Sequence, residues 1–418
     1  MLRAVAVVCM LAASLITLAQ LRADVMWRHD GQGRFPNISP PLEWRADRNV
    51  LWKTSVEVGG YSSPIVVEDK VFVTAEMGSL ICLDLETGRL LWQKDLFNKD
   101  SPDLPADLSK ALMRGCGGDS KQSTPTPTSN GRSVFYVNAM GLCACYDLAG
   151  QQQWIRIIET AKDEEHFSAS PIFFGERIIL HWGCLLALDA KDGRTLWKAP
   201  DAFPTHGTPT LARIGDVDVI VTTAGDIVRL SDGLQLCSGL FDSTYATPLL
   251  ENGVLYVVDN ESKAWQLPTI AEPGLRPKEL WKARLSGEFM ASPLYRDGLL
   301  YTLEAAKCRL HVLDAKTGEL LIPARGEASS LAGEKPDSGL KIEGLNAGKY
   351  AYASPVAAGR HMFFFDDTGH TAVLELGRGY RPVRINALDD ALVGTPFFVG
   401  NKIIMRGSKS VYCIRAKS

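Results

Sequence analysis

Residues 63–92 read SPIVVEDKVFVTAEMGSLICLDLETGRLLW, from Ser63-Pro64 to Trp92. The stretch holds an apolar run, a polar turn, a second apolar run and a Gly-containing turn. It then closes on Asp84, Gly88 and Trp92, each four residues apart. Apolar runs this short, bounded by turn residues, predict β-strands. Asp starts a tight turn with its side chain and Gly supplies a positive φ, so the pair joins two antiparallel strands. The Trp presents a large flat apolar surface that must pack on something beyond its own sheet.

The same order recurs along the chain. Start prolines stand at Pro64, Pro125 or Pro127, Pro171, Pro209, Pro248, Pro293, Pro355 and Pro396. The closing motif returns in register as Asp189, Gly193 and Trp197, and with one residue fewer as Asp147, Gly150 and Trp154. Asp314 and Gly318 match with Ile322 in place of the Trp, Cys237 follows Gly233 by four, and Trp281 takes the docking place of the fifth unit. Most starts are about forty residues apart, the period of a propeller blade with four short strands. The expected fold is all-β: an eight-bladed β-propeller of four-stranded antiparallel blades. A count of seven follows if the weak fourth or eighth unit is mispaired. The eighth unit runs out after VYCIR (411–415), while Asn49–Lys53 looks like a blade's last strand without its first three, with Trp52 in the docking position. Ring closure by this N-terminal outer strand leaves no open sheet edge.

The ends and the composition bound the setting. Arg3 precedes an apolar run from Ala4 to Ala19, and Ala23 is a small residue before a cleavage point, the pattern of a signal peptide. The run is short for a membrane span, which needs roughly 20 apolar residues; uncleaved, it would act as an anchor. The expected division is 1–23 signal, 24–44 lead-in and 45–418 a single propeller domain, exported to the periplasm or beyond. The 418 residues carry a formal charge of −3, which gives no basic surface for nucleic acid. The chain is expected to be a monomer. Cys82, Cys145 and Cys413 fall at one strand position and read as small core residues; Cys143 and Cys145 share a strand face, where a bond between them would strain. Cys116 stands in a Gly-rich loop.

The repeat resembles the pyrroloquinoline-quinone (quinoprotein) β-propeller family, whose blades share an Ala-x-Asp-x-x-Thr-Gly-x-x-x-Trp docking motif. The resemblance covers nearly all of 45–418 and is strongest in the first three units. It implies the fold and leaves two functions open. One branch holds quinone-dependent dehydrogenases, which use a calcium ion, an Asp base and a stacked Trp. The other is cofactor-free and includes the periplasmic propeller subunit of the outer-membrane β-barrel assembly machine. This chain has no Cys-Cys pair, no Cys-x-x-Cys-His, no nucleophile elbow, no phosphate loop and no zinc-protease motif. Glu76, Asn138 and Asp366 are scattered loop residues able to supply oxygens to a calcium ion. The reading adopted is a non-catalytic scaffold for a protein or other envelope ligand, with no cofactor. The alternative is a dehydrogenase using the quinone with calcium.

In such a fold the turns after each second strand and the loops entering each blade share one face. The turns carry Glu76, Asn138, His181, Asp226, Asp259, Glu304, Asp366 and Arg406. Three residues before each start proline, a ring forms from Tyr61, Gln122, Ser168, His206, Tyr245, Met290, Tyr352 and Val393. Aromatic and polar types around a central mouth suit a ligand or a partner segment. Insertions at 97–124 and 324–350 project from that face, and one at Leu267–Lys278 from the other. His166, His181 and His206 crowd blades three and four, a combination able to hold a transition metal.

Overall fold

Each repeat folds into one antiparallel sheet of four strands in up-and-down order. The computed structural model describes residues 25–56, 61–75, 78–95, 125–138, 141–158, 168–321, 339–375 and 382–416. In blade 1 the strands are Ile65–Val67, Lys70–Ala75, Ser79–Asp84 and Leu90–Asp95. The first three are sandwiched between neighbouring blades and apolar almost throughout, whereas the outer one is largely exposed. Blades 2 to 7 begin at Thr128, Ile172, Thr210, Leu249, Leu294 and Val356. Blade 8 takes Phe397–Val399, Lys402–Arg406 and Ser410–Arg415 from the C-terminal end and Val50–Ser55 from the N-terminal end. There are eight blades, and the ring closes through the N-terminal strand.

The tryptophans make the seams. Trp52, Trp92 and Trp154 stand across from Cys413, Cys82 and Cys145, and Trp197 and Trp281 across from Ala187 and Ala264. A small side chain opposite each indole leaves room for it, which is why cysteine recurs at that strand position. Burial pushes the thiols of Cys82 and Cys413 up to about 12, so they are inert packing groups. Each indole lies on the closing turn of the next blade. Its Nε1–H donates to a backbone carbonyl there: Trp52 to Leu85 at 2.9 Å, Trp92 to Leu148 at 3.2 Å, Trp154 to Ala190 at 2.9 Å, Trp197 to Leu230 at 3.0 Å and Trp281 to Ala315 at 2.9 Å. Gly88 shows why glycine is needed. Its φ is +69°, and a methyl group there would lie 2.5 Å from the Trp52 ring.

A second set of links runs round the inside. In seven of the eight blades the hydroxyl residue before the start proline accepts a hydrogen bond from the equivalent backbone N–H of the preceding blade. Ser63 N donates to Thr126 Oγ1, Thr126 N to Ser170 Oγ, and Ser170 N to Thr208 Oγ1, at 3.0–3.1 Å. Thr247 N donates to Ser292 Oγ, Ser292 N to Ser354 Oγ, Ser354 N to Thr395 Oγ1, and Thr395 N back to Ser63 Oγ, each at 2.9 Å. The link through Thr126 settles the second start as Pro127. The circle is open only between blades 4 and 5, where the buried Thr247 Oγ1 has no partner.

That seam also lacks a docking tryptophan, since blade 4 carries Cys237 in its place. Other contacts hold it. The insertion after Leu267 folds back over blade 4, with Gly274 N donating to Leu236 O at 2.8 Å. On the opposite face His206 N and Gly207 N both donate to Thr244 O, and Ser243 N donates to Thr223 O. The insertion at 324–350 departs from expectation. Leu340–Lys341 within it pairs with Arg309 and Leu310 as the outer strand of blade 6, so it is partly sheet. Ile322 and the whole 97–124 insertion lie outside the described residues.

Residues 25–44 are more than a lead-in. Val25 exchanges backbone hydrogen bonds with Ser129 of blade 2, and Gln32 Oε1 accepts from Leu250 N of blade 5. Arg28 Nη2 donates to Pro293 O and Pro355 O of blades 6 and 7. Arg34–Phe35 pairs in parallel with Ala357–Ala358, and the Phe35 ring packs on Phe397 and Phe398 of blade 8. Only the axis reaches the innermost strands of so many blades. The chain therefore fills its own hub before leaving past Gly400 toward Trp44, which is fully buried. The 1–23 signal assignment falls outside the described residues.

The inner circle yields a paired test. Ser354→Ala orphans the buried Ser292 N–H and is expected to lower stability by about 1–3 kcal/mol. Thr247→Val removes a hydroxyl that bonds nothing and is expected to leave the urea midpoint unchanged or raised.

Candidate binding face

The up-and-down order puts all second-to-third-strand turns and all entry loops on one face, around the mouth of the axis. The structure divides the expected residues on that face into two classes. The turn residues are mostly committed to their own turns. Asn138 Oδ1 accepts from Leu142 N at 3.0 Å. The Asp226 carboxylate accepts from Gln235 Nε2 at 2.9 Å and Gly239 N at 3.3 Å. Asp259 Oδ1 accepts from Glu261 N, and the two Glu304 oxygens accept from Ala306 N and Lys307 N. Asp366 takes Thr368 N and His370 N on one oxygen and Asn346 N on the other. Asn138, Asp226, Glu304, Asp366 and Arg406 are buried, and Asp259 is half-buried. Burial raises the carboxyls of Asp226 and Asp259 above the usual range. Polar side chains in such turns stand in for backbone partners, so they shape the loops.

The ring three residues before each proline is different. Tyr61, Tyr245 and Tyr352 are 38%, 41% and 38% exposed, large values for aromatic residues on a rigid framework. Tyr61 and Tyr352 meet edge to face, with ring centroids 6.4 Å apart, although blade 8 lies between their blades. His206 stacks on Tyr245 at 5.1 Å across the seam of blades 4 and 5. Ser168 Oγ donates to His206 O at 3.0 Å and holds the loop that carries the ring. Met290 and Val393 are half-buried beside them. Phe203, in the loop entering blade 4, is 68% exposed and was missed by the sequence reading because it falls outside the repeat register. Glu76 lies outside the described residues, as does Gln122, whose place in the ring counts from Pro125; from Pro127 the count falls on Thr124, which lies outside them too.

Of the three histidines, His181 and His206 are among the described residues. His181 is buried on the second strand of blade 3, with its ring toward the backbone of Ala202 and Phe203. His206 is engaged with Tyr245 and Ser168, and His166 lies outside the described residues. Among the described residues no group of three His, Cys, Asp or Glu side chains is placed to hold a metal ion. Nor does any helix among them have the length and apolarity to cross a membrane.

With the face described, its relatives can be compared. The family model for the outer membrane protein assembly factor BamB matches residues 44–267 and again 183–418. The chain belongs to this family. It is 28% identical over 228 residues to BamB of Burkholderia pseudomallei, an alignment covering 49% of this chain and 59% of that protein. The chain thus spans under two thirds of that BamB's length. The crystal structure of BamB from Moraxella catarrhalis superposes with a TM-score of 0.58 at 15% identity, covering 87% of this chain and 97% of that one. The quinohemoprotein alcohol dehydrogenase ADHIIG from Pseudomonas putida superposes with a TM-score of 0.59 at 11% identity, over 96% and 82%. Likeness at such identities shows the shared propeller fold.

His181 gives this face a pH dependence. Burial lowers its pKa from 6.5 to about 4, with the backbone of Ala202 and Phe203 pulling weakly the other way. Between those values the unfolded chain binds the proton and the folded one does not. Stability is therefore complete above pH 6.5 and falls toward pH 4, by up to roughly 3 kcal/mol. His181→Leu is expected to lose correspondingly less stability than the parent between pH 7 and pH 4.5 in urea titrations.

Proposed function

We propose that this chain is a non-catalytic, exported propeller that docks a protein partner on its mouth face in the assembly of outer-membrane proteins. The observation that carries the reading is the division of that face. The described acids and amide of its second-to-third-strand turns are consumed in closing those turns, while Tyr61, Phe203, Tyr245 and Tyr352 are left exposed on loops anchored to a rigid ring. Aromatic side chains held this way suit protein recognition, because they offer large contact area at little entropic cost. A catalytic site needs instead a nucleophile, base or metal with free valences in mutual reach. Membership of the BamB family supports the envelope setting, and the periplasm is the compartment it favours.

Two measurements test the reading. A photo-crosslinking residue at position 245 or 203, in cells, is expected to give a discrete protein adduct. The same residue at Ile270, 66% exposed on the opposite face, is expected to give none. Matching patterns from both faces, or none from either, would remove the mouth as the docking surface. Titration with pyrroloquinoline quinone, with and without calcium, is expected to give no saturable quench of tryptophan fluorescence. Calcium-dependent saturation at micromolar quinone would sink the non-catalytic reading.

A further inference from the structure

We propose that Tyr61, Tyr350 and Tyr352 form a three-walled box at the mouth that accepts a cationic side chain, guanidinium or ammonium, from the docked partner. The inference rests on the mouth being the docking face and adds what that face recognises.

The box begins with the loop entering blade 7. Two successive carboxylates of that blade's turn pin the loop. Asp366 Oδ2 accepts Asn346 N at 2.9 Å, and Asp367 accepts Gly348 N at 2.5 Å, Lys349 N at 2.7 Å and Tyr350 N at 3.1 Å. These charge-assisted bonds fix the backbone that carries Tyr350 and Tyr352. The third wall comes from blade 1. Tyr61 reaches Tyr352 across blade 8, whose own ring position is the small Val393.

The rings are set as walls. Tyr350 and Tyr352 lie 6.0 Å apart at 74°, and Tyr352 and Tyr61 6.4 Å apart at 71°. Rings in mutual edge-to-face contact normally bury one another, yet Tyr61 and Tyr352 each keep 38% of their surface in solvent. A ring face carries negative potential, and a cation over it is attracted, more strongly where water is partly excluded. Asp367, which accepts from the backbone of Gly348, Lys349 and Tyr350, adds a negative charge close by. Burial raises the Tyr352 hydroxyl above its usual range, and the neighbouring Tyr61, Asp367, Tyr350 and Tyr245 act in the same direction. The chain already places one cation on this cluster: Lys349 Nζ stands 5.9 Å over the Tyr350 ring. That contact uses one ring of three and leaves the Tyr61–Tyr352 pair open.

The probe is a fluorescein-labelled Gly/Ser peptide with two arginines, compared by anisotropy with the same peptide carrying citrulline, which keeps the shape and removes the charge. The purified full chain is expected to bind the arginine peptide at least about fivefold more tightly than the citrulline one. Tyr61→Ala and Tyr352→Ala are each expected to weaken it by about five- to thirtyfold, while Tyr352→Phe, which keeps the ring, stays within about twofold. Lys349→Ala is expected to tighten binding, since it frees a ring face. Circular dichroism confirms that each variant is folded. Equal binding of the two peptides, or alanine variants that bind as the parent does, overturns the box. If the box fails while the cross-link at position 245 persists, the docking reading stands without it. If both fail, both are overturned.

Discussion

The ring must close, and it closes where the indole of Trp52 lies on Gly88. A propeller open at one seam would expose two sheet faces as apolar as Val71–Ala75 and Ile403–Met405. Blade 8 is assembled from both ends of the chain, so that seam forms only when residues 50–55 have found residues 410–415. The long sequence separation makes this an entropically expensive contact. It is held by more than one means: five backbone-paired positions, the Trp52 hydrogen bond to Leu85, and the Thr54 hydroxyl on Gly88 O at 2.6 Å.

The seam between blades 4 and 5 shows what happens when the common devices are absent. Without a docking tryptophan or the N–H-to-hydroxyl link of the other blades, the seam is held by the Thr210 hydroxyl, which donates to Pro248 O at 2.6 Å, and by elements outside the repeat. The insertion after Leu267 reaches back to Leu236, and the loops entering blades 4 and 5 hydrogen-bond to each other. The His206–Tyr245 stack stands on that seam, so the exposed Tyr245 ring and the half-buried His206 ring are bound up with how two blades are joined.

The hub offers a similar case. Arg28 is buried, with its Nε and Nη1 unpartnered, and burial lowers its pKa to about 9. Such a group adds little net stability. The segment is held instead by backbone pairing and by Phe35 among the phenylalanines of blade 8. Filling the axis from the chain's own N-terminal side ties the innermost strands of blades 2, 5 and 7 to one segment.

The blade architecture was legible in the residues because a propeller is one local pattern repeated. Asp84, Gly88 and Trp92 act through turn geometry and a flat ring, and both follow from residue type. The closing strand at Asn49–Lys53 was legible for the same reason. The site was legible only in part. The positions of Tyr61, Tyr245 and Tyr352 followed from counting back from the prolines, but a sequence does not say which polar residue will be consumed by its own turn. Asp226, Glu304 and Asp366 looked like Tyr245 in position and differ from it wholly in exposure. Phe203 and Tyr350 were invisible because they lie off the register. By itself the sequence determined the repeat and the closing strand, which rest on contacts between neighbouring units; it left the count at eight or, with a mispaired unit, seven. Only the tertiary structure decided that residues 25–35 fill the hub, that the hydroxyls before the prolines join into a circle, and that Tyr61 meets Tyr352 across blade 8. Those contacts join segments far apart in the chain, and their partners are chosen by the geometry of the closed ring rather than by local residue type.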